Sequence, residues 1–478
     1  MKTQLHSRRE SGFTYMTVVI TMIVVGLMLA AYLKLVAVQN QLTSRSQTWN
    51  RTVPIIEAGV EEALAHLNKN GSPDSGGAIN MAALNGDGWK CPVGSTTGPW
   101  SKLGSIDGDY YFVQVDRWTG STTNFPFINS TGFVQHSESF ALNRSFGPFV
   151  ADLLDILTAL TANGRYSRRV VQCTTTNVPT FTKALVARRG IDLNGNNVRT
   201  DSFDSRNPAY NDGIGHYSSA AGKWRDNGDI ASNDTITNTI SVGNADVYGR
   251  VSTGPNGTVS VGASGAVGNK AWHAAGNNGI QPGYSTDDMN VEFPDVVMPS
   301  TSWLPPPIGG TVDGVSYNYV FNISGDYAFT SSSLNGKVLI SAPNVRIKIG
   351  PGSGWTFTGQ EILRITTNGS VKIYLDCASA SIGGNGIVND GTADQCYIFG
   401  TSRLTTLSLS GNGEQTAAIY APYANMSFNG GGSGGNDFSG SAVLNSAKLN
   451  GHYNFHYDEA LGRIGLWRGF TVTSWNEK

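Results

Sequence analysis

Charged residues are scarce in this chain, and cues for binding nucleic acid are lacking. Asp, Glu, Lys and Arg make up 14% of the 478 residues, and the formal net charge is −2. No stretch concentrates Lys and Arg into the basic stripe that is typical of nucleic-acid-binding proteins. Glycine, by contrast, is abundant at 59 residues. Together with many Asn, Ser and Thr residues, it favours β-structure with frequent turns over helical bundles.

Familiar catalytic motifs are also missing. The sequence contains no GxSxG, P-loop or HExxH segment. The acidic residues of the C-terminal region are too scattered to nominate a catalytic pair: Asp376, Asp394, Asp437, Asp458 and Glu459. A site that assembles only in three dimensions would leave no such motif. We expect a protein without enzymatic activity and without a cofactor.

Two groups of residues resemble metal ligands in type but do not complete a metal-binding pattern. Asp192, Asn194 and Asn196 alternate like the first ligands of a calcium loop, but the glycine and bidentate glutamate of such a loop are absent. His452 and His456 lie in a predicted strand, where residues four apart are separated by roughly 13 Å. We expect Asx-turns at the first group, packed or hydrogen-bonded histidines at the second, and no metal site.

One long stretch carries no charge at all, from Phe13 to Leu33. About 20 apolar residues in a helix span a bilayer core of roughly 30 Å. The leader, residues 1–12, is basic, and an excess of positive charge stays on the cytoplasmic side of a membrane. We predict a transmembrane helix over residues 13–33 with its N-terminus inside and the bulk of the chain outside. A secretory signal peptide is the alternative, but its apolar region spans only about 7–15 residues.

The junction between leader and helix resembles the processing signal of type IV pilins and pseudopilins. Gly12 is followed by Phe13 and Thr14; in that family a prepilin peptidase cuts after the glycine and methylates the new N-terminal phenylalanine. The chain departs from main pilins at Thr17, where they carry a glutamate that neutralises the N-terminal amine of a neighbouring subunit. Because a buried unpaired ammonium is costly, the resemblance implies a minor subunit that forms no long homopolymer, or an anchor that never polymerises.

Helical periodicity continues over residues 34–70 and predicts a helical stalk, broken and restarted at Thr52-Val53-Pro54. The segment Glu57-Ala58-Gly59-Val60-Glu61 resembles the EAG-x-E signature of PilX-like minor pilins. The resemblance implies a role in subunit packing for four residues of this segment: Glu57, Ala58, Gly59 and Glu61. It implies the same role for Thr17, the position in the apolar helix that differs from main pilins. An ordinary amphipathic helix is the alternative.

The four cysteines form no CxxC pair, which argues against structural zinc. An even number of cysteines in an exported chain favours disulfides. We expect the bridges Cys91–Cys173 and Cys377–Cys396, because each pair falls within one predicted domain. Free buried thiols are the alternative.

The fold class predicted for the whole chain is α+β. After the stalk, residues 71–190 form a small pilin-like α+β domain, with strands over residues 109–118 and 168–176 and a helix over residues 149–160. Residues 191–234 are predicted to be a loop-rich connector.

Residues 235–478 contain short apolar runs separated by Asn and Gly, with a Pro-rich crossing at residues 289–307. The runs recur about every 20 to 35 residues, which favours an all-β, parallel β-helix-like region. An antiparallel β-sandwich is the alternative. The C-terminal third resembles a poorly characterised β-domain that often follows PilX-like anchors, and no activity comes with that resemblance. Its matching segments are Ala418–Pro422, Asn425–Gly430 and Asn454–Leu461.

Together these resemblances imply a minor subunit or assembly factor of a type IV pilus or a related secretion filament. It would sit in a bacterial inner membrane and display its β-domain outside the cell, with adhesion as a candidate role. The implied partners are a prepilin peptidase, other pilin or pseudopilin subunits, the inner membrane and surface glycans. The alternative is a carbohydrate-binding or carbohydrate-cleaving β-helix on a plain membrane anchor.

Overall fold

The computed structural model describes most of the chain. It covers residues 10–70, 81–92, 98–116, 125–135, 166–195, 197–329, 334–410, 415–429, 436–464 and 466–478. The helix predicted over residues 149–160 and most of the leader lie outside the described residues. The chain forms two compact units. We call the first the helix–sheet unit, which ends at Asn177 and regains Gly469–Lys478, and the second the solenoid unit, formed by Val178–Arg468.

The strands are numbered in chain order. The first fifteen are β1 Trp100–Ile106, β2 Asp109–Asp116, β3 Phe127–Gln135, β4 Tyr166–Pro179, β5 Leu185–Ala187, β6 Ile191–Asp192, β7 Arg199–Phe203, β8 Ile230–Ser232, β9 Ile240–Gly243, β10 Asp246–Tyr248, β11 Val251–Ser252, β12 Val259–Val261, β13 Ala266–Gly268, β14 Gly279–Ile280 and β15 Ser285–Thr286. The remaining fifteen are β16 Gly310–Val312, β17 Val315–Tyr317, β18 Tyr319–Phe321, β19 Gly325–Phe329, β20 Lys337–Ile340, β21 Val345–Phe357, β22 Ile362–Ile365, β23 Val371–Ile382, β24 Gly386–Asn389, β25 Cys396–Gly400, β26 Thr406–Ser410, β27 Gln415–Asn429, β28 Asn436–Asn450, β29 Tyr453–Asp458 and β30 Trp467–Glu477.

The described residues contain few helices. They are α1 Glu10–Asn70, α2 Met81–Gly86, α3 Lys270–Ala274 and α4 Leu461–Ile464, with 3₁₀ turns at Pro208–Tyr210 and Ala393–Gln395. A long N-terminal helix followed by a mostly β chain is the α+β class predicted from the sequence, and that prediction is confirmed.

Helix α1 runs for 61 residues without the predicted break at Pro54. A proline inside a helix costs about 3 kcal/mol through its missing N–H and its ring. Here the turns on both sides of Pro54 are buried in the core of the unit, with Thr52 fully buried and Ile55 and Ile56 6% and 1% exposed. Thr52 does not cap a new helix, because its hydroxyl donates to the carbonyl of Trp49 at 2.6 Å. Tertiary packing therefore stabilises a continuous helix despite the proline.

The helix–sheet unit packs the C-terminal half of α1 on a five-stranded sheet with the order β1-β2-β3-β4-β30. The pairings from β1 to β4 are antiparallel. Strand β2 confirms the strand predicted from alternation over residues 109–118, and β4 confirms the strand predicted over residues 168–176. The last strand, β30, corrects the predicted end of the C-terminal domain, because its residues return to this unit. Its core joins five residues of α1 to sheet residues that include Trp100, Val113 and Ile128. The five are Ile55, Ile56, Val60, Ala63 and Leu67.

The solenoid unit is built from parallel strands stacked in successive coils. Lys337 pairs with Ile362, and Tyr397 pairs with Ala418, as the predicted repeat requires. The only antiparallel pair of named strands in the described part of this unit is β16–β17. This parallel pairing fits the predicted β-helix-like region and not the antiparallel sandwich. Apolar side chains from all coils fill one continuous interior, including Ile347, Ile373 and Ile398.

The coils come from two windings of the chain. The first winding contains β5 to β15, and the second contains β16 to β29. Between them, residues 287–309 form no helix or strand. One row of parallel strands passes through both windings in the order β15, β11, β8, β5, β28, β27, β25, β23, β21 and β19. The last strands of the chain's second winding therefore stack on the first strands of its first winding.

Residues 191–234 are not the predicted connector. They supply β6, β7 and β8 to the solenoid. The polar residues that suggested a loop are buried in β7, where Thr200, Asp201 and Ser202 are each fully buried. Hydrogen bonds satisfy them, and Thr200 donates to the carbonyl of Gly228 at 3.1 Å. A buried strand made of polar residues has no apolar alternation to reveal it.

Neither predicted disulfide is present, since Cys173, Cys377 and Cys396 are free thiols. In the parallel register, Cys396 lies opposite Val371, six residues before Cys377 on β23. Six residues of extended strand reach roughly 20 Å, whereas bridged Cα atoms lie within about 7 Å. Burial raises the pKa of the Cys377 thiol to about 11 and that of Cys396 to about 12. These buried thiols are therefore poor nucleophiles near neutral pH.

We expect Cys377 and Cys396 to remain reduced in protein purified without reductant. Alkylation in denaturant followed by peptide mass mapping should find both peptides fully alkylated, and added reductant should leave the melting temperature unchanged. A disulfide-linked Cys377–Cys396 peptide pair would show that the strand register is wrong.

Candidate functional site: the uncovered helix and the charged seam

The N-terminal part of α1 is apolar and exposed. Phe13 is 74% exposed and Met28 is 68% exposed. One helix of the described residues is long and apolar enough to cross a membrane, and none of its most apolar stretch is buried. A core helix of a soluble protein would be covered by its own chain. We call residues 13–33 the uncovered helix; such a surface is stable in a bilayer or against other apolar helices.

The polar side chains within the uncovered helix bond to its own backbone. The Thr17 hydroxyl lies 3.0 Å from the carbonyl of Phe13 and 2.9 Å from that of Thr14, and Thr21 donates to the Thr17 carbonyl at 2.7 Å. Such bonds let hydroxyls enter an apolar environment without an unsatisfied donor. Thr17 offers no carboxylate to a neighbour. Gly12 lies within α1 directly before this surface.

The EAG-x-E segment lies at the junction of α1 with the sheet. Glu57 and Glu61 are exposed, Ala58 is half-buried, and Gly59 is buried. A Cβ atom added to Gly59 would lie 2.4 Å from Ser130 Oγ and 3.2 Å from Tyr111 Cδ2. The Ser130 hydroxyl in turn donates to the Ile56 carbonyl at 2.9 Å. Gly59 therefore allows α1 to approach its own sheet, and it is not available for the predicted packing against another subunit.

A charged cluster beside this segment escaped the sequence analysis. Glu62 contacts the Lys102 ammonium, and His66 Nε2 lies 3.0 Å from Glu62 Oε1. Burial alone would raise the pKa of Glu62, but the hydrogen bond and charge of Lys102, with His66, outweigh burial and lower it. Arg51 and Asp109 form a second helix-to-sheet ion pair at 2.8 Å. These contacts fix the register of α1 on its sheet. The charged residues of the helix and those of the sheet are far apart in the sequence and meet only in the folded chain.

The second group of functional candidates lies where the two windings of the solenoid meet. We call the pairings of β28 with β5 and β6, and of β29 with β7, the seam. Elsewhere the coils follow each other along the chain, but His456 and its seam partner Asp201 are 255 residues apart. Because the seam joins distant segments, its specificity must come from the residues on the two facing coils.

His456 is the centre of the seam and is 2% exposed. Its Nδ1 lies 2.5 Å from Asp201 Oδ1, and its Nε2 lies 3.7 Å from Asp437 Oδ2. Tyr217 stacks on its ring at a centroid distance of 3.4 Å and donates to Asp201 Oδ2 at 2.9 Å. Burial alone would lower the pKa of His456, but the charge and hydrogen bond of Asp201, aided by Asp437, raise it to about 9. His456 is therefore an imidazolium at neutral pH.

Further ion pairs surround His456 and cross the seam. Arg463 donates to both Asp204 oxygens, at 2.8 and 2.7 Å. Glu459 accepts from Arg225 Nη1 at 2.6 Å and from the Ser202 hydroxyl at 2.8 Å. The carboxylates are largely buried, with Asp204 7% and Glu459 11% exposed, while Arg463 and Arg225 are 54% and 36% exposed. Removing either arginine would leave a largely buried carboxylate without its partner, which is destabilising. The arrangement therefore stabilises one docking of the windings, and the burial of His456 keeps solutes from its ring.

Most of the other polar candidates are not brought together. His452 is exposed, and its Nδ1 lies 3.3 Å from the Asn197 amide, so it forms no pair with His456. Asp192 Oδ1 accepts from the Asn194 N–H at 3.0 Å, which is the expected Asx-turn, while Asn196 lies outside the described residues. Within the ranges that the structure covers, no group of three or more His, Cys, Asp or Glu residues could hold a metal ion.

Replacing Gly59 should loosen the helix–sheet unit. We expect Gly59→Leu to destabilise it by about 2 kcal/mol, because the new side chain collides with Ser130 and Tyr111. Glu61→Leu, at an exposed position two residues away, is the matched control and should have little effect. Hydrogen exchange of β2 and β3 in the full-length protein measures the difference. Equal exchange in the two variants would contradict the close packing at Gly59.

His456→Gln should destabilise the solenoid unit in a pH-dependent way. The raised pKa, about 9 against 6.5 for a free histidine, means that the stabilisation is fully present below pH 6.5 and lost as pH rises through 9. We expect the variant to lose about 3 kcal/mol at pH 6 and progressively less toward pH 10. Denaturant unfolding of the full chain across this range measures it, with His452→Gln as the exposed control. A loss that grows with pH would refute the ion pair.

The chain is similar to one protein family over part of its length and to one solved structure. Residues 313–464, about one third of the chain, match a family described as "Domain of unknown function (DUF7305)", whose description names no activity. No curated protein matches the chain. A crystal structure of the competence-associated pilin ComZ from Thermus thermophilus is similar, at 10% sequence identity, over 90% of this chain and 98% of that chain. Its TM-score is 0.20.

Proposed function

We propose that this protein is a membrane-anchored, pilin-like minor subunit or assembly factor of a type IV pilus or a related secretion filament, without enzymatic activity. One observation carries the proposal. The uncovered helix is continuous with the segment of α1 that packs on the antiparallel sheet of the helix–sheet unit. A single rigid helix thus links an apolar anchor to a folded domain, as a pilin-like subunit requires. The Gly12-Phe13 junction supports the same proposal from the sequence.

The proposed orientation places the N-terminus in the cytoplasm of a bacterium and the solenoid unit outside its inner membrane. The basic residues Lys2, Arg8 and Arg9 precede the uncovered helix and support this orientation. The partners would be a prepilin peptidase, which removes the leader, and other pilin or pseudopilin subunits. The PilX-like type of minor pilin is proposed on the EAG-x-E segment, with Glu57 and Glu61 as the members that remain exposed.

Thr17 supports a minor role over a main structural one. Its hydroxyl bonds within its own helix and supplies no negative charge to a neighbouring Phe13 amine. A filament made only of this chain would bury unpaired ammonium groups, each costing several kcal/mol. We therefore propose a tip position or a low copy number in the filament. Thr17→Glu should promote incorporation along the filament, as seen by immunogold labelling of sheared filaments.

The solenoid unit is the part proposed to act outside the cell. A stack of parallel coils presents a long, rigid surface, which suits adhesion to surface glycans. A carbohydrate-binding or carbohydrate-cleaving solenoid on a plain anchor remains the second candidate. Glycan-array binding together with absence of processing at Gly12 would favour that second candidate.

Co-expression with a prepilin peptidase tests the proposed function directly. We expect N-terminal sequencing to find a mature chain that begins at Phe13, and Gly12→Leu to keep the leader attached while the neighbouring change Ser11→Ala leaves processing intact. The peptidase's activity on a main pilin in the same cells is the control. The pilin proposal would be wrong if the chain kept Met1 in cells where the peptidase is active, or if the mature chain began at a residue other than Phe13.

A further inference from the structure

Three bases lie close together on the outward face of two neighbouring strands of the solenoid unit. Arg346 and Lys348 belong to β21, and Lys372 belongs to β23. The residues that alternate with them, such as Ile347 and Ile373, fill the interior. Because side chains alternate between the two faces of a strand, the three bases point away from that interior. All three are half-buried, and we call them the basic patch.

The parallel register sets the spacing of the basic patch. Arg346 lies opposite Lys372, and Lys348 lies opposite Tyr374. Neighbouring strands are about 4.8 Å apart and two residues along a strand span roughly 6.6 Å, so the backbones of all three bases fall within about 8 Å of each other. Like charges directly opposite each other are unfavourable within the chain alone. An anion bound between them would offset that repulsion with charge-assisted hydrogen bonds.

The neighbouring acids do not neutralise the two lysines of the basic patch. Asp326 accepts from the Arg346 guanidinium at 2.5 and 2.6 Å. Asp376, on the same strand as Lys372, lies 3.3 Å from Arg403. Within the part of the chain that the structure describes, Lys348 and Lys372 have no carboxylate partner. The basic patch therefore presents two ammonium groups whose charges its own neighbours leave uncompensated.

Aromatic rings flank the basic patch. The Lys372 ammonium lies 5.8 Å from the centre of the Tyr397 ring, within the range of a cation–π contact. Trp303 meets the ring of Tyr374 edge-on, at a centroid distance of 6.5 Å. The next residue, Leu304, pairs with the backbone of β19 and so fixes Trp303 beside the patch. Rings that combine an apolar face with nearby polar groups suit sugars, which carry apolar C–H faces and polar substituents.

We infer that the basic patch binds an acidic polysaccharide, with anionic substituents of the sugars at Lys348 and Lys372 and a sugar ring against Trp303. The inference rests on the proposed function, which displays the solenoid unit outside the cell, and it names the class of glycan. Nucleic acid is a less suitable polyanion. Its affinity for proteins grows with the number of phosphates that bases neutralise, and β21, β23 and β25 carry no base beyond the three of the patch.

Binding of polygalacturonate to the full-length protein in nanodiscs of neutral lipid tests the inference. Methyl-esterified polygalacturonate is the control ligand, because esterification removes the charges and keeps the sugar chain. The test variant is Lys348→Gln/Lys372→Gln. The control variant Lys337→Gln/Lys448→Gln removes the same net charge at two exposed positions on other strands. Biolayer interferometry measures the dissociation constants, and thermal unfolding of each variant measures its stability.

We expect polygalacturonate to bind about tenfold more tightly than its ester and the test variant to lose about tenfold in affinity, since each exposed ion pair contributes up to about 1 kcal/mol. Binding should weaken as salt is added. The control variant should bind like the unchanged protein, and so should Lys348→Arg/Lys372→Arg, which keeps both charges. The melting temperature of the test variant should not fall, because the change relieves the repulsion between Lys372 and Arg346.

The inference would be overturned by equal binding of the two polymers, by undiminished binding to the test variant, or by an equal loss in the control variant. Tighter binding of duplex DNA than of polygalacturonate would also overturn it. A test variant that binds weakly only because its melting temperature has fallen would show that the lysines support the fold instead. Processing at Gly12 is measured separately, so failure of the pilin proposal and failure of the glycan site are distinguishable.

Discussion

The apolar side chains of the uncovered helix are not covered by the described part of their own chain, and this constraint governs the rest of the helix–sheet unit. An isolated helix with such a surface is soluble only in lipid or among other apolar helices. The rest of α1 must therefore pass from an apolar environment to the core of a folded unit within a single helix. The change is made near Thr48 and Thr52, which are 5% exposed and fully buried where the face turns onto the sheet. From there on, close approach at Gly59 and the ion pairs of Arg51 and Glu62 hold the helix in place.

The solenoid unit depends on the correct docking of its two windings. Its two windings begin far apart in the chain and must meet in one register, because a slip by one strand position would turn every interior side chain outward. Apolar interiors alone are similar from coil to coil and discriminate poorly between registers. The seam adds groups that fit in one register only, with His456 between Asp201 and Asp437 and with Arg463 on Asp204. Unpaired, the buried charges of His456, Asp201 and Asp204 would be costly, so the seam disfavours wrong dockings.

Local sequence patterns predicted the helices and strands that depend mainly on residues close together in the chain. The uncharged run predicted the apolar helix, and alternation predicted β2. The Asn- and Gly-punctuated runs predicted parallel coils, because their spacing matches the length of chain that one coil consumes.

The sequence did not predict features that depend on contacts between residues far apart in the chain. The break at Pro54 fails because burial of Ile55 and Ile56 outweighs a local rule. Strand β7 was hidden because its polar residues are satisfied by partners such as His456, 255 residues away. The return of β30 to β4, held by Arg169 and Glu477, joins residues 308 apart. The predicted bridge Cys377–Cys396 fails because the parallel register separates the two thiols, which no count of cysteines reveals.

The central claim is that α1 crosses from lipid to water between its apolar and its packed halves. Cysteines introduced singly at Gly26 and Gln47, and treated in intact cells or spheroplasts with a membrane-impermeant maleimide, test it most directly when labelling is resolved by peptide mass. The account predicts rapid labelling of Gln47→Cys and protection of Gly26→Cys until the membrane is dissolved. Equal labelling of the two positions in intact membranes would contradict it.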